Sequence, residues 1–189
     1  MEPVALRTER LVLSIPTEAD ADAITAGCQD PEVPRWTTIP SPYSRQNAVE
    51  FIDLVSGWWA DGVETVWAIR KDGELAGMVG LHRITTHPHG GEAEIGYWGV
   101  ATFRGQGIMT EAARAVVDFA FDELKLARLA WRAVVGNTPS ARTARALGFR
   151  YEGLVRQGLT SPRGRDDGWV AGLLASDDRT PVPWPVLSS

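Results

Sequence analysis

The chain has 189 residues, a net charge of −5, one cysteine (Cys28), 44% hydrophobic residues and 23% charged residues. That suffices for one well-buried domain, falls short of two ordinary ones, and excludes wholesale disorder, collagen and coiled coil. No stretch approaches the ~20 apolar residues of a membrane span. The N-terminal residues lack the apolar run of a signal peptide, and one cysteine excludes an internal disulfide or a cysteine-rich metal site. A cytoplasmic protein is expected.

Charge is unevenly spread. Residues 1–123 carry 9 basic and 19 acidic side chains, whereas residues 124–165 carry 9 basic side chains and one acid, Glu152. A basic island in an acidic chain attracts anions locally but does not make the broad basic face of a nucleic-acid binder.

In chain order, residues 8–15 alternate as a strand bounded by Pro16. Thr17 heads a helical stretch with acids in its first turn. Pro31, Pro34, Pro40 and Pro42 predict a loop over residues 30–42, which holds Trp36. Ser44 is placed to cap a second helix that Gly62 ends. Strands follow at 63–71, 74–86 and 92–101, the first two joined by the turn pair Asp72-Gly73. The spacing of Met109, Ala113, Val116, Ala120 and Leu124 predicts a helix, and residues 128–135 a strand. Thr138-Pro139 opens a short helix that Gly148 closes, and residues 151–160 and 168–175 complete the strands. Hairpins mixed with crossover helices predict an α/β (α+β) domain over residues 1–176, built on a single mixed, mostly antiparallel sheet flanked by helices. Residues 177–189 read as a Pro-rich tail outside the core.

The most informative stretch is Tyr97–Ala113, where a strand enters Arg104-Gly105-Gln106-Gly107-Ile108-Met109 and then a helix near Thr110. Glycines there let backbone N–H groups turn inward, and the helix start adds unpaired donors and positive potential, which together make an anion cradle. The P-loop pattern fails for want of Gly-Lys-Ser/Thr. The dinucleotide fingerprint fails because the next strand ends Val134-Val135-Gly136-Asn137 without an acid. A tight turn without a ligand is the plain alternative.

Arg104-x-x-Gly107-x-Met109 resembles the Arg/Gln-x-x-Gly-x-Gly/Ala loop of the GCN5-related N-acetyltransferases. Ala93-Glu94-Ile95-Gly96-Tyr97-Trp98, Thr110-Glu111-Ala112, Asn137-Thr138-Pro139-Ser140, Leu147-Gly148-Phe149 and Glu152-Gly153-Leu154-Val155-Arg156 are similar to the ribosomal-protein N-terminal (RimJ/RimL-like) branch. The likeness runs roughly from Thr8 to Ser176. Two residues depart from it: Met109 replaces a small residue, and Ala144-Arg145-Ala146 replaces an acid–lysine pair.

The resemblance implies an acyl-CoA N-acyltransferase fold and direct acetyl transfer from acetyl-CoA, or another acyl-CoA such as succinyl-CoA, to a primary amine. A protein N-terminus or a small-molecule amine is the implied acceptor, and a homodimer is compatible. It also implies that amides from Gly105, Gln106, Gly107, Ile108, Met109 and Thr110, after Arg104, hold the pyrophosphate. Trp98, Gly99 and Val100 would pair with pantetheine, and Asn137 would touch it. Glu94 is the implied base and Ser140, near the sulfur, the implied acid, while Arg142 and Arg145 are candidates for the 3′-phosphate. Asn137 equally reads as a helix cap and Glu94 as a solvent-facing strand carboxylate. His82, His87 and His89 show no further metal ligands, so no metal is expected. A non-catalytic acyl-CoA-binding module on the same fold is the alternative function.

Overall fold

The strand expected over residues 8–15 is β2 (Leu11–Ser14), and a two-residue strand, β1 (Leu6–Arg7), precedes that stretch. Thr8 turns the chain between them: its amide donates to the Leu11 carbonyl, and its hydroxyl accepts from the Leu11 N–H, both at 3.0 Å. This geometry belongs to a computed structural model that describes residues 1–187. Thr17 and Asp20 then form a capping box around one tight turn, and α1 (Ala21–Cys28) follows.

The expected loop over residues 30–42 contains a five-residue helix, α2 (Glu32–Trp36). Its prolines do not forbid it. Pro31 precedes the helix and Pro34 lies in its first turn, where a missing N–H costs no hydrogen bond, and Asp30 accepts from the Glu32 amide at 3.0 Å.

Ser44 caps α3 (Arg45–Asp61), accepting the Asn47 amide, and Gly62 ends it with φ 70°. β3 (Thr65–Lys71) and β4 (Glu74–Thr85) flank Asp72-Gly73, both at positive φ, as a tight hairpin turn requires. β5 (Gly91–Gly99), α4 (Ile108–Asp122), β6 (Leu126–Val134), α5 (Thr138–Ala146), β7 (Arg150–Ser161) and β8 (Gly164–Leu174) complete the order.

The eight strands lie in one sheet, β1-β2-β3-β4-β5-β6-β8-β7. Every pairing is antiparallel except β5 with β6. A parallel pair needs a crossover connection, and α4 supplies it. That pairing is short: Gly91–Glu94 match Leu126–Ala130 and then it stops. β5 stays on β4 up to Gly99 and β6 stays on β8 up to Val134, so the sheet divides between them.

One sheet face carries Trp67, Val79, Ile95 and Leu129 under α4, whose Ala113, Val116 and Ala120 are fully buried. Ala68 and Met78 on the other face lie under α1, α2 and the first half of α3. The core is rich in tryptophan. Trp59 meets Trp67 edge-on at 4.9 Å, and Trp67 meets Phe119 at 5.4 Å. Each buried indole N–H still finds an acceptor, as low-dielectric surroundings demand: Trp59 on the Val66 carbonyl, Trp67 on Val4, Trp131 on the Ser140 hydroxyl.

The tail corrects the expectation that it lies outside the core. Trp184 is buried, stacks against Trp131 at 5.5 Å and Tyr151 at 5.7 Å, and donates to the Phe149 carbonyl at 3.0 Å. A Pro-rich segment has low helix and strand propensity but can still deliver one large apolar anchor. Trp184→Ala should lower unfolding free energy by about 3–5 kcal/mol, the range for emptying a buried aromatic site. Urea denaturation checks this, and a loss below about 1 kcal/mol would show a tail that is not part of the folded unit.

Candidate active site

The loop between β5 and α4 is held from outside by side chains. Arg104 donates to the Gly99 carbonyl through Nη2 at 3.0 Å and pairs with Asp30 at 2.8 Å. Gln106 Nε2 donates to the Thr102 carbonyl at 2.9 Å, and Arg10 donates to the Gln106 carbonyl at 3.2 Å. Carbonyls are therefore drawn outward. None of the amides from Gly105 to Thr110 donates to an acceptor among the described residues, and the first to do so is Glu111, bonded to Gly107. Gly105 and Gly107 have φ 74° and 76°, conformations that side chains resist. A β-carbon at Gly105 would meet nothing within 4 Å. Six free amides at a helix N-terminus form a concave donor surface suited to a pyrophosphate.

Met109, the larger residue in the last loop position, turns away from that surface. Its methyl group lies 3.2 Å from where a β-carbon on Gly77 would be and 3.6 Å from one on Gly99. Two glycines thus make room for it in the sheet.

Glu111 anchors the helix start. Its carboxylate accepts from the Thr8 hydroxyl at 2.5 Å and from Arg10 Nε at 2.7 Å. Burial pushes its pKa upward, but the hydrogen bonds from Thr8 and Arg10 outweigh this and hold it below the usual carboxylate range.

The parted strands lead inward from the cradle. Along Ile95–Gly99 the β6-facing edge of β5 has no strand partner. The Val100 amide is already engaged, donating to Ala76 at 2.9 Å, and the Gly99 carbonyl is held by Arg104. The Trp98 side chain turns to the opposite face and rests on Gly27 of α1. Bonded pairs alternate along the antiparallel ladder with β4, so the Trp98 amide faces Met78, contrary to the expectation for it, and Gly99, with Tyr97 before it, presents its amide to an extended ligand arm.

Ser140 stands where the two strands are farthest along their divergence, braced from both. Tyr97 of β5 donates to its carbonyl at 2.9 Å, and Trp131 of β6 donates to its hydroxyl at 3.1 Å. The Trp131 bond occupies an oxygen lone pair, so the Ser140 hydroxyl serves as a donor, with the Tyr97 phenol beside it. Burial pushes the Tyr97 phenol up, so it stays a neutral strut. Asn137 caps α5, its side-chain oxygen accepting the Ser140 amide at 3.3 Å. Its amide N–H groups have no partner among the described residues.

Glu94 lies on the opposite sheet face, partly buried, with one oxygen 2.8 Å from Arg83 and 3.4 Å from Arg132. Arg142 is exposed and Arg145 half-buried on α5. The Trp36 ring sits beside Gly136 after β6, 3.7 Å from where a β-carbon would be. Arg163, in the β7–β8 turn, donates to the Pro34 and Thr37 carbonyls, so hairpin and α2 close over one end of the site. Arg83, Arg132, Tyr97 and Arg163 escaped the sequence reading, since nothing local marks a residue whose partner is distant in the chain. Among the described residues, no helix is long and apolar enough to cross a membrane.

A run of unpaired amides opening onto a bare strand edge, with a serine hydroxyl at its inner end, has the donors a long phosphorylated carrier would need. The model of the acetyltransferase (GNAT) domain family matches residues 10–150, and the chain belongs to that family. The chain is 31% identical to the uncharacterized N-acetyltransferase p20 of Bacillus licheniformis, over 80% of this chain and 85% of that one. Two further likenesses span about half of each chain: 44% identity to YdaF of Bacillus subtilis, covering 52% of its length, and 33% to the ribosomal-protein-serine acetyltransferase of Escherichia coli, covering 52%. Among solved structures, the RimL ribosomal L7/L12 alpha-N-protein acetyltransferase in complex with coenzyme A superposes with TM-score 0.82 at 20% identity, over 92% of this chain and all (100%) of that one.

Glu111 gives a pH prediction. A carboxylate lowered in the folded state contributes stability that is complete above its unfolded pKa, about 4.3. That stability is lost as pH falls through the lower folded value. Below about pH 4 the wild type should therefore lose stability more steeply than Glu111→Gln, in denaturation midpoints measured across acid pH. Parallel curves would remove Glu111 from the acid response.

Proposed function

We propose that this chain transfers an acetyl group from acetyl-CoA to a primary amine, with the N-terminus of a protein or peptide as the acceptor. The observation that carries this is the run of unpaired amides from Gly105 to Thr110 leading into the unpaired edge of β5. In this reading the amides of Gly105, Gln106, Gly107, Ile108, Met109 and Thr110 hold the pyrophosphate, with Arg104 keeping the loop in shape. Gly99 pairs with the pantetheine arm, and the Asn137 amide group donates to it. Ser140, its lone pair held by Trp131, gives its proton to the departing sulfur. Glu94 receives the incoming ammonium on the acceptor face, fixed by Arg83 and Arg132.

A peptide acceptor suits the groove of about 300 Å³ on that same face, lined by Arg128, Ala130, Arg132, Glu152, Val155 and Val170. Its mixed apolar and charged walls fit an extended chain better than a compact small amine. The names of the relatives that act on ribosomal proteins support the same class of acceptor. A cytoplasmic location accords with it.

Calorimetry with acetyl-CoA, followed by thiol release against N-terminal peptides and small amines, tests this reading. Binding with peptide-dependent release is expected. Ser140→Ala should lower kcat by roughly 10²-fold, the usual worth of one positioned acid, with acetyl-CoA affinity kept. Binding without release against any acceptor would favour the non-catalytic alternative, and absence of binding would overturn the reading.

A further inference from the structure

A second acid–base pair stands beside the parted strands, and none of the roles above uses it. His82 of β4 directs Nδ1 to the Glu64 carboxylate at 2.7 Å. A carboxylate only accepts, so Nδ1 carries the proton, and in the neutral imidazole Nε2 keeps its lone pair. Nε2 has no partner among the described residues. Space for the ring comes from glycines: a β-carbon on Gly96 would lie 3.0 Å from Nε2, and one on Gly80 3.5 Å. Gly80 and Gly96 are cross-strand partners, so the imidazole lies over a bare strip of the sheet. Gly96 is the second residue of β5 past its last contact with β6, where the sheet divides.

The charged groups around His82 are Glu64 before β3, Glu94 directly across on β5, Arg83 next to it on β4, and Arg132 on β6. Glu94 is the less suited of the two candidate bases, because protonating it would break its pairs with Arg83 and Arg132. Nε2 of His82 is oriented, half-exposed and unengaged.

We propose that His82, oriented by Glu64, is the general base that deprotonates the acceptor amine, a role that rests on the transfer reaction proposed above. The ammonium gives one proton to Nε2, and the freed nitrogen lone pair forms the bond to the acyl carbon. The carbon–sulfur bond breaks with its electron pair on sulfur. Ser140 gives its proton to that sulfur and regains one from the nitrogen, while the imidazolium releases its proton to solvent.

The test is steady-state transfer from acetyl-CoA to an acceptor peptide by the full-length protein, from about pH 5.5 to 9.5, alongside calorimetry with acetyl-CoA. The peptide α-amine titrates near 8 in every variant, so the limb belonging to the enzyme is read below it. His82→Gln should lose roughly 10²-fold in kcat and lose that lower limb, with acetyl-CoA affinity unchanged. Glu64→Gln should lower kcat and leave acetyl-CoA affinity unchanged, because the imidazole loses the carboxylate that orients it. Glu94→Gln should raise KM and leave the limb in place. The proposal is overturned if His82→Gln retains wild-type kcat and limb, if the limb vanishes with Glu94→Gln instead, or if His82→Gln no longer binds acetyl-CoA. Wild-type protein that binds no acetyl-CoA would overturn the transferase reading itself.

Discussion

Parallel strands exchange slanted hydrogen bonds that hold only while the two backbones stay about 4.8 Å apart. β5 and β6 keep that spacing for Gly91–Glu94 and then part, because each remains bonded to its outer neighbour: β5 to β4 through Gly99, β6 to β8 through Val134. The division leaves a strand edge without a partner inside an otherwise closed sheet. Buried or half-buried edges of this kind need a partner, and an extended amide-bearing ligand arm is one. The glycine loop carries the chain from the end of β5 to the start of α4, and a short turn carries it from β6 to α5. The two helix starts that supply the cradle and Ser140 are therefore consequences of the same parting. Tyr97 and Trp131, one from each strand, converge on Ser140 and set the width of the opening.

Electrostatics separates the two faces of this opening. On the cradle side, carbonyl groups are held outward by Arg104, Gln106 and Arg10, and the amides remain for an anion. On the acceptor side, Glu64 and Glu94 flank His82, with Arg83 and Arg132 balancing Glu94. An anionic carrier and a cationic amine thus meet the sheet from surfaces of opposite character. Of the nine basic residues in 124–165, four pair with carboxylates: Arg128 with Glu152, Arg132 with Glu94, Arg150 with Asp177 and Arg163 with Asp166. Arg142 on α5 is exposed and makes no ion pair among the described residues.

The local rules of turns, caps and periodicity made most of the fold legible in the sequence. Ser44, Gly62, Asp72-Gly73 and Pro139 stand at the boundaries their chemistry predicts. The glycine loop was legible because φ near 75° at Gly105 and Gly107 is a backbone demand that only glycine meets readily. Most of what failed involved partners distant in the chain, and one failure was local. Residues 30–42 read as a loop because prolines usually break helices, yet Pro31 and Pro34 fall where a helix tolerates them. The tail read as peripheral because nothing near Trp184 announces Trp131 or Tyr151. Glu94 read as an open carboxylate because Arg83 and Arg132 reach it only once three strands are aligned. His82 read as an unlikely metal ligand, and its partner Glu64 lies on the far side of β3.

The central claim is that the amides from Gly105 to Thr110 and the free edge of β5 form one continuous carrier site. Backbone ¹H–¹⁵N spectra of the labelled protein, titrated with coenzyme A, test it residue by residue. The account predicts that Gly105, Gln106, Gly107, Ile108, Met109 and Thr110 shift first and furthest, with Gly99 and the Asn137 side-chain amide shifting in the same titration. Saturating coenzyme A that leaves these signals in place, or moves only residues of the Arg128–Val170 groove, would contradict it.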